Sequence, residues 1–220
     1  MTSLRHTIAA SFVVVISTMM PTVFGSQRPT PKNGDVLVYY CHNLSIATVR
    51  VFPKRVEIET ATRKATLVET TPPSPVSYSD GVVTLSGLEE HVRFEEPGAV
   101  YFCQSMPAEV PWQEARFRGV EFRAAGDEPP WSLEVDSGVA VEFATGLGDA
   151  RAVTKFPPAE LTGTDSRMTL TSVSGPRSLA VLAERRVCNL AGSTMTLAVT
   201  VTLNGKTYRG CGRPLNSALP

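Results

Sequence analysis

Residues 46–60 alternate with a period of two. Ile46, Thr48 and Arg50 fall on one side of the run, and Ala47, Val49 and Val51 on the other. Past Pro53-Lys54, Val56 and Ile58 alternate with Glu57 and Glu59. Successive side chains of an extended chain point to opposite faces, so this is the pattern of strands half-buried against a core. Short β-rich runs recur at Asp35–Cys41, Ala65–Glu69, Val82–Leu85, His91–Glu95 and Ala99–Gln104, the last two separated by a Pro97-Gly98 turn. No convincing amphipathic helix interrupts them. Short alternating strands with Pro and Gly between them predict an all-β antiparallel barrel or sandwich.

The second half reads the same way. Trp131–Val135 and Val139–Phe143 flank an Asp136-Ser137-Gly138 turn, and Met168–Val173, Leu179–Leu182 and Thr196–Leu203 are further strands. Asn204-Gly205 is the clearest hairpin signal, because a type I′ turn needs φ > 0 at both centres. Lys206–Cys211 is the returning strand. Between the halves, Pro107, Pro111, Pro129 and Pro130 punctuate a stretch expected to be a linker, in which Ala115–Arg123 could be a strand of either half. The expected organisation is a signal peptide (1–25), a flexible leader (26–34), a β-barrel (35–106), a linker (107–126), a second β-rich domain (127–215) and a tail (216–220).

The signal assignment rests on Arg5 and His6, the apolar run Ile8–Met20, and small Gly25 before Ser26. That run is short for a membrane span. No cysteine follows it for lipid attachment, so a periplasmic or secreted protein without a stable membrane anchor is expected. All four cysteines, Cys41, Cys103, Cys188 and Cys211, come later. An even count in an oxidising compartment reads as two disulfides, for which three connectivities exist. Cys41–Cys103 and Cys188–Cys211 are expected, since each pair stays inside one half. The tripeptides Tyr39-Tyr40-Cys41 and Tyr101-Phe102-Cys103 point the same way, to first and last strands lying side by side.

Apolar content of 42% and charge of 19% are ordinary for a globular chain. A formal net charge of zero gives no basic signature for nucleic acid. The chain has no Cys-x-x-Cys, nucleophile elbow, P-loop or dinucleotide fingerprint. His42 and His91 are isolated in sequence and read as surface residues, and Asn43-Leu44-Ser45 as a chance sequon. Neither a metal nor a cofactor is expected, and the chain reads as non-enzymatic.

The signal that remains is one of binding. Between the two Tyr-x-Cys tripeptides lies Ser74-Pro75-Val76-Ser77-Tyr78-Ser79-Asp80-Gly81. Together these features resemble the c-type lysozyme inhibitor family of bacterial envelopes, known in membrane-bound and periplasmic forms. The resemblance covers about a third of the chain. It implies a barrel that inserts a loop into the lysozyme cleft, a serine and a lysine meeting the enzyme's carboxylates. Aligned on Tyr78-Ser79-Asp80-Gly81, the family serine falls on Ser74, its glycine on Pro75 and its lysine near Leu88. The last two are departures: proline fixes φ, and leucine carries no charge. Residues 33–104 hold nine acidic and six basic side chains, an acidic balance that suits a basic lysozyme. The second half, through Glu128-Pro129-Pro130-Trp131-Ser132 and Tyr208-Arg209-Gly210-Cys211, resembles an uncharacterised β-rich domain of bacterial envelope proteins. The expected function is therefore lysozyme binding and inhibition. The alternative is a non-catalytic envelope binding or scaffold protein that keeps the fold without inhibition.

Overall fold

The computed structural model describes residues 31–42, 45–70 and 76–215. The expected signal peptide, most of the leader, the Asn43-Leu44 pair of the sequon, Ser74, Pro75 and the tail lie outside the described residues. The protein is all-β, as its alternation predicts.

Eight strands close the first barrel: β1 (Val36–Cys41), β2 (Ser45–Phe52), β3 (Arg55–Glu59), β4 (Lys64–Glu69), β5 (Ser77–Ser79), β6 (Thr84–Ser86), β7 (His91–Glu96) and β8 (Ala99–Ser105). Each strand pairs antiparallel with the next, and β8 returns to β1. That closing seam holds three register pairs, Tyr39–Ser105, Tyr40–Gln104 and Cys41–Cys103. The expected Cys41–Cys103 disulfide fastens its end, with Cα atoms 4.1 Å apart. The inward positions of the strands fill the barrel with Tyr39, Val49, Val56, Ile58, Leu67, Leu85 and Phe94. Residues 32–34, assigned to a flexible leader, form a turn at the barrel's edge. There the Lys32 N–H donates to the Asp35 carboxylate at 2.6 Å and the Gly34 N–H to the Val51 carbonyl at 2.7 Å.

The stretch 107–126, expected to be a linker, is structured. A 3₁₀ turn (Pro107–Glu109) leads into helix α1 (Val110–Phe117), and strand β9 (Phe122–Asp127) begins the second sheet. Two features hid the helix in the sequence. Pro111 falls in its first turn, where the ring is tolerated. Only Trp112 and Ala115 of its eight residues are buried, too few to mark an apolar stripe in the sequence. Gly119, at φ +90°, supplies the left-handed residue that ends it. Alternation directs Val36 and Val38 of β1 and Thr48 of β2 out of the barrel, yet all three are buried. Helix α1 packs against β1 and accounts for this cover. On its other side Trp112 joins Leu190, Met195 and Cys211 in a small satellite core. The helix thus sits between the two β-structures, and Arg116 reaches back to Glu59 of the barrel at 2.9 Å.

The second sheet continues through β10 (Pro130–Asp136), β11 (Ala140–Thr145), β12 (Ala152–Phe156), β13 (Thr162–Thr164), β14 (Arg167–Ser174), β15 (Arg177–Leu190), β16 (Ser193–Leu203) and β17 (Lys206–Pro214). Its order is β12-β11-β10-β9-β17-β16-β15-β14-β13. The sheet curls until β12 approaches β14, around a core that includes Phe122, Trp131, Leu133, Phe143, Leu179 and Val201. The Asn204-Gly205 hairpin has φ of +50° and +82°, both positive as a type I′ turn requires. The two motif stretches of this half meet in space: the Trp131 indole N–H donates to the Arg209 carbonyl at 3.1 Å. Gly210 lies beneath, where a Cβ would collide with the Ala125 carbonyl and the Trp131 ring. The expected Cys188–Cys211 disulfide joins β15 to β17 across the intervening β16. A bulge between Arg185 and Cys188 accompanies it.

Candidate functional site

The stretch from Ser74 to Gly81 does not form one loop. Ser77–Ser79 is strand β5, held by two register pairs to β4, Val68–Ser79 and Glu69–Tyr78. Val76 stands at one end of the barrel and Asp80 at the other, four residue steps or roughly 13 Å apart along an extended chain. Ser74 and Pro75 lie outside the described residues, in the β4–β5 connection at the Val76 end.

At the Asp80 end the polar groups serve the turn itself. The Asp80 carboxylate accepts the N–H groups of Val82 and Val83 at 2.9 and 2.7 Å. These backbone donors, Val83 first, hold its carboxyl below the usual range. The Ser79 hydroxyl donates to the Val83 carbonyl at 2.7 Å and accepts the Gly81 N–H at 3.0 Å. Tyr78 points inward and is buried among the barrel core. Burial, with the Glu69 carboxylate adding to it, pushes its phenol up.

The Val76 end carries different chemistry. The Gly87 N–H donates to the Val76 carbonyl at 2.8 Å, which brings the connection after β6 beside the start of β5. The hydroxyls of Ser77 and Ser86 lie 3.2 Å apart. Register continues the row outward from them: Ser77 opposes Ser86, Ser86 opposes Arg93, and Arg93 opposes Phe102. Two hydroxyls, a guanidinium and a ring that is 73% exposed therefore stand side by side on the outer face. Arg93 is held by Glu95 at 2.5 Å. Sequence reasoning missed Ser86, Arg93 and Phe102; pairing β7 with β8 across Pro97-Gly98 would have aligned the last two.

Leu88, where the family lysine falls, is buried in the barrel core. A cation there would have no access to a partner without leaving that core.

Charge on the barrel is segregated. Between Arg50 and Lys64 five cationic side chains accompany two carboxylates, whereas between Asp80 and Glu96 five carboxylates accompany one guanidinium. Strands β5–β8 and their turns are thus the acidic side. Among the described residues no group of three or more His, Cys, Asp or Glu is placed to hold a metal ion. No helix among them is long and apolar enough to cross a membrane. No family model matches the chain, and no curated protein matches it at a significant level.

Proposed function

We propose that this is an exported envelope protein whose barrel binds a c-type lysozyme and blocks its cleft. The contact would be made by the β4–β5 connection and the neighbouring row of Ser77, Ser86, Arg93 and Phe102. The observation that carries the reading is the closed eight-stranded barrel, fastened at the first and last strands by Cys41–Cys103. Export is supported by the two disulfides and by the apolar run that precedes residue 25. In this reading Ser74 meets one enzyme carboxylate, and Arg93 supplies the cation that Leu88 does not. A guanidinium and a hydroxyl can satisfy two carboxylates by charge-assisted hydrogen bonds. Phe102 anchors the rim, and the acidic side of the barrel favours encounter with a basic enzyme.

Burial of Leu88 favours a second reading, a binding or scaffold protein that keeps the barrel without inhibition. Cell-wall lysis by a c-type lysozyme, measured with purified protein in molar excess, separates the two. Inhibition that falls in both Ser74→Ala and Arg93→Ala, by about 1–3 kcal/mol of binding each, supports the first. Undiminished lysis at full excess leaves the second.

A further inference from the structure

The barrel's charge is divided between two opposite sides. Strands β3 and β7 stand four places apart in a closed ring of eight, so their outer faces point opposite ways. Around β3 lies the basic side. Arg50, Lys54, Arg55 and Lys64 are joined there by Lys32, in the turn beside Val51, and by Arg116 of helix α1. Its carboxylates are Asp35, Glu57 and Glu59. Glu69 opposes the inward Tyr78 and turns with it toward the interior. The Arg63–Glu96 pair, at 3.8 Å, joins the two sides and belongs to neither.

Glu57 is held by Arg50 at 3.5 Å, and Glu59 by Lys64 and Arg116 at 3.3 and 2.9 Å. Asp35 accepts the Lys32 N–H within its own turn. Six cations against three carboxylates leave a surplus, and it falls on the β2–β3 turn. There Lys54 and Arg55 are exposed and have no ion pair among the described residues. Around β7 the balance reverses: Asp80, Glu89, Glu90 and Glu95 accompany Arg93. Arg93 pairs with Glu95, which leaves Glu89 and Glu90 exposed and equally without an ion pair among the described residues.

The topology sets these two clusters at one level. Every strand from β2 to β7 is antiparallel to the next, so β2 and β6 run the same way. The β2–β3 turn and the β6–β7 connection therefore lie at the same end of the barrel. Each side also presents apolar surface: Val68 of β4 on the basic side, and Val100 and Phe102 of β8 on the acidic side, all exposed. The whole chain has a formal net charge of zero, so copies of it do not repel one another at long range.

We propose that the barrel associates side by side with further copies of this chain, the basic side of one copy on the acidic side of the next. Lys54 and Arg55 of one barrel then face Glu89 and Glu90 of its neighbour, with Val68 and Phe102 inside the contact. Complementary charge around an apolar centre is a common make-up for such an interface. Because the two sides point opposite ways, one pair of copies cannot satisfy both. The contact is heterologous and builds a ring or an open row. It stands apart from the lysozyme reading, although a lysozyme on the acidic side would compete with it.

Sedimentation of the full chain at low salt should show species beyond a dimer that grow with concentration. They should dissociate in about 1 M salt, where the screening length falls to about 3 Å. Two double variants divide the contact: Lys54→Gln with Arg55→Gln, and Glu89→Gln with Glu90→Gln. All four positions are exposed, so the fold is kept. Each variant alone should associate at least about tenfold more weakly than wild type. Mixed, they should form a one-to-one complex and nothing longer, because each retains the side that the other has lost. A wild type of one size up to about 1 mM overturns the proposal. So does a dimer that grows no further, association that survives 1 M salt or either double variant, or a mixture without the one-to-one complex.

Discussion

The two β-structures of this chain solve the edge problem differently. The first barrel closes by hydrogen bonds, since β8 returns to β1 and all eight strands have two neighbours. Its disulfide joins residues that already oppose each other in that seam. The second sheet ends at β12 and β13, and it is packing that brings β12 toward β14. Its disulfide joins strands that are not neighbours, and the Cys188–Cys211 pair sits under Trp112 in the satellite core. Cys41–Cys103 thus fastens a ladder, whereas Cys188–Cys211 holds the tip of the β15–β16 hairpin against helix α1. One cross-link guards closure and the other guards the joint between the halves.

The largest effect tests the barrel's interior. Leu88→Lys places an unpaired ammonium in the core and should cost about 4–5 kcal/mol in chemical denaturation. Wild-type stability in that variant would mean that position 88 reaches solvent, and it would revive a cation there as a lysozyme contact.

The disulfides come next. In the chain-entropy model the Cys41–Cys103 loop contributes about 4 kcal/mol and the Cys188–Cys211 loop about 3.5 kcal/mol. Similar totals should hide different signatures. Cys188→Ala with Cys211→Ala should alter Trp112 emission in the native state. Cys41→Ala with Cys103→Ala should leave that emission unchanged while lowering the unfolding midpoint. Identical native spectra for both double variants would remove the distinction drawn between the two cross-links.

Helix α1 gives a smaller effect. A fragment of residues 31–119 keeps the cover over Val36, Val38 and Thr48, and a fragment of residues 31–106 does not. The longer fragment should be more stable by roughly 2–3 kcal/mol, from the apolar area it keeps out of water. Equal stability would show that the barrel does not need the helix.

The smallest effect is electrostatic. The Arg116 hydrogen bond, with Lys64 adding to it, holds the Glu59 carboxyl below its usual value against a partial burial that raises it. A depressed carboxylate pKa contributes stability above the unfolded value of about 4.3, and that stability is lost as pH falls through the folded value. Both side chains are partly exposed, so Arg116→Ala should cost less than about 1 kcal/mol near pH 7. The difference from wild type should vanish as the pH drops well below 4.3. A difference that persists in acid would assign the effect to Arg116 stacking on the Phe117 ring, 4.8 Å from its centroid, and not to the ion pair.

Strand β12 (Ala152–Phe156) escaped sequence reading although it carries Val153 and Phe156, whereas three other missed strands share a physical reason. Strand β5 is three residues long, too short for alternation to show. Strand β9 reads Phe-Arg-Ala-Ala-Gly-Asp, with small residues where it packs closely on β10 and β17. Strand β13 is Thr-Gly-Thr, exposed throughout, and carries no apolar signal at all. Period-two patterning reports a difference between faces, and these strands have too little side chain to express one.

Alternation over residues 46–60, the Pro97-Gly98 and Asn204-Gly205 turns and the even set of cysteines were enough, from sequence alone, for an antiparallel all-β protein with Cys41–Cys103 and Cys188–Cys211 paired. The strand and turn signals are local, each set by a few neighbouring residues, and the pairing followed from keeping each cysteine pair inside one half. Tertiary structure alone decided that Leu88 faces inward and that Ser77 and Ser86 share a row with Arg93 and Phe102. It also decided that Val36 and Val38 are buried from outside the barrel, and that Trp112 of helix α1 meets Leu190, Met195 and Cys211 in a satellite core. Each depends on register or packing between segments far apart in the chain. A one-residue shift in register would exchange every inward side chain for an outward one.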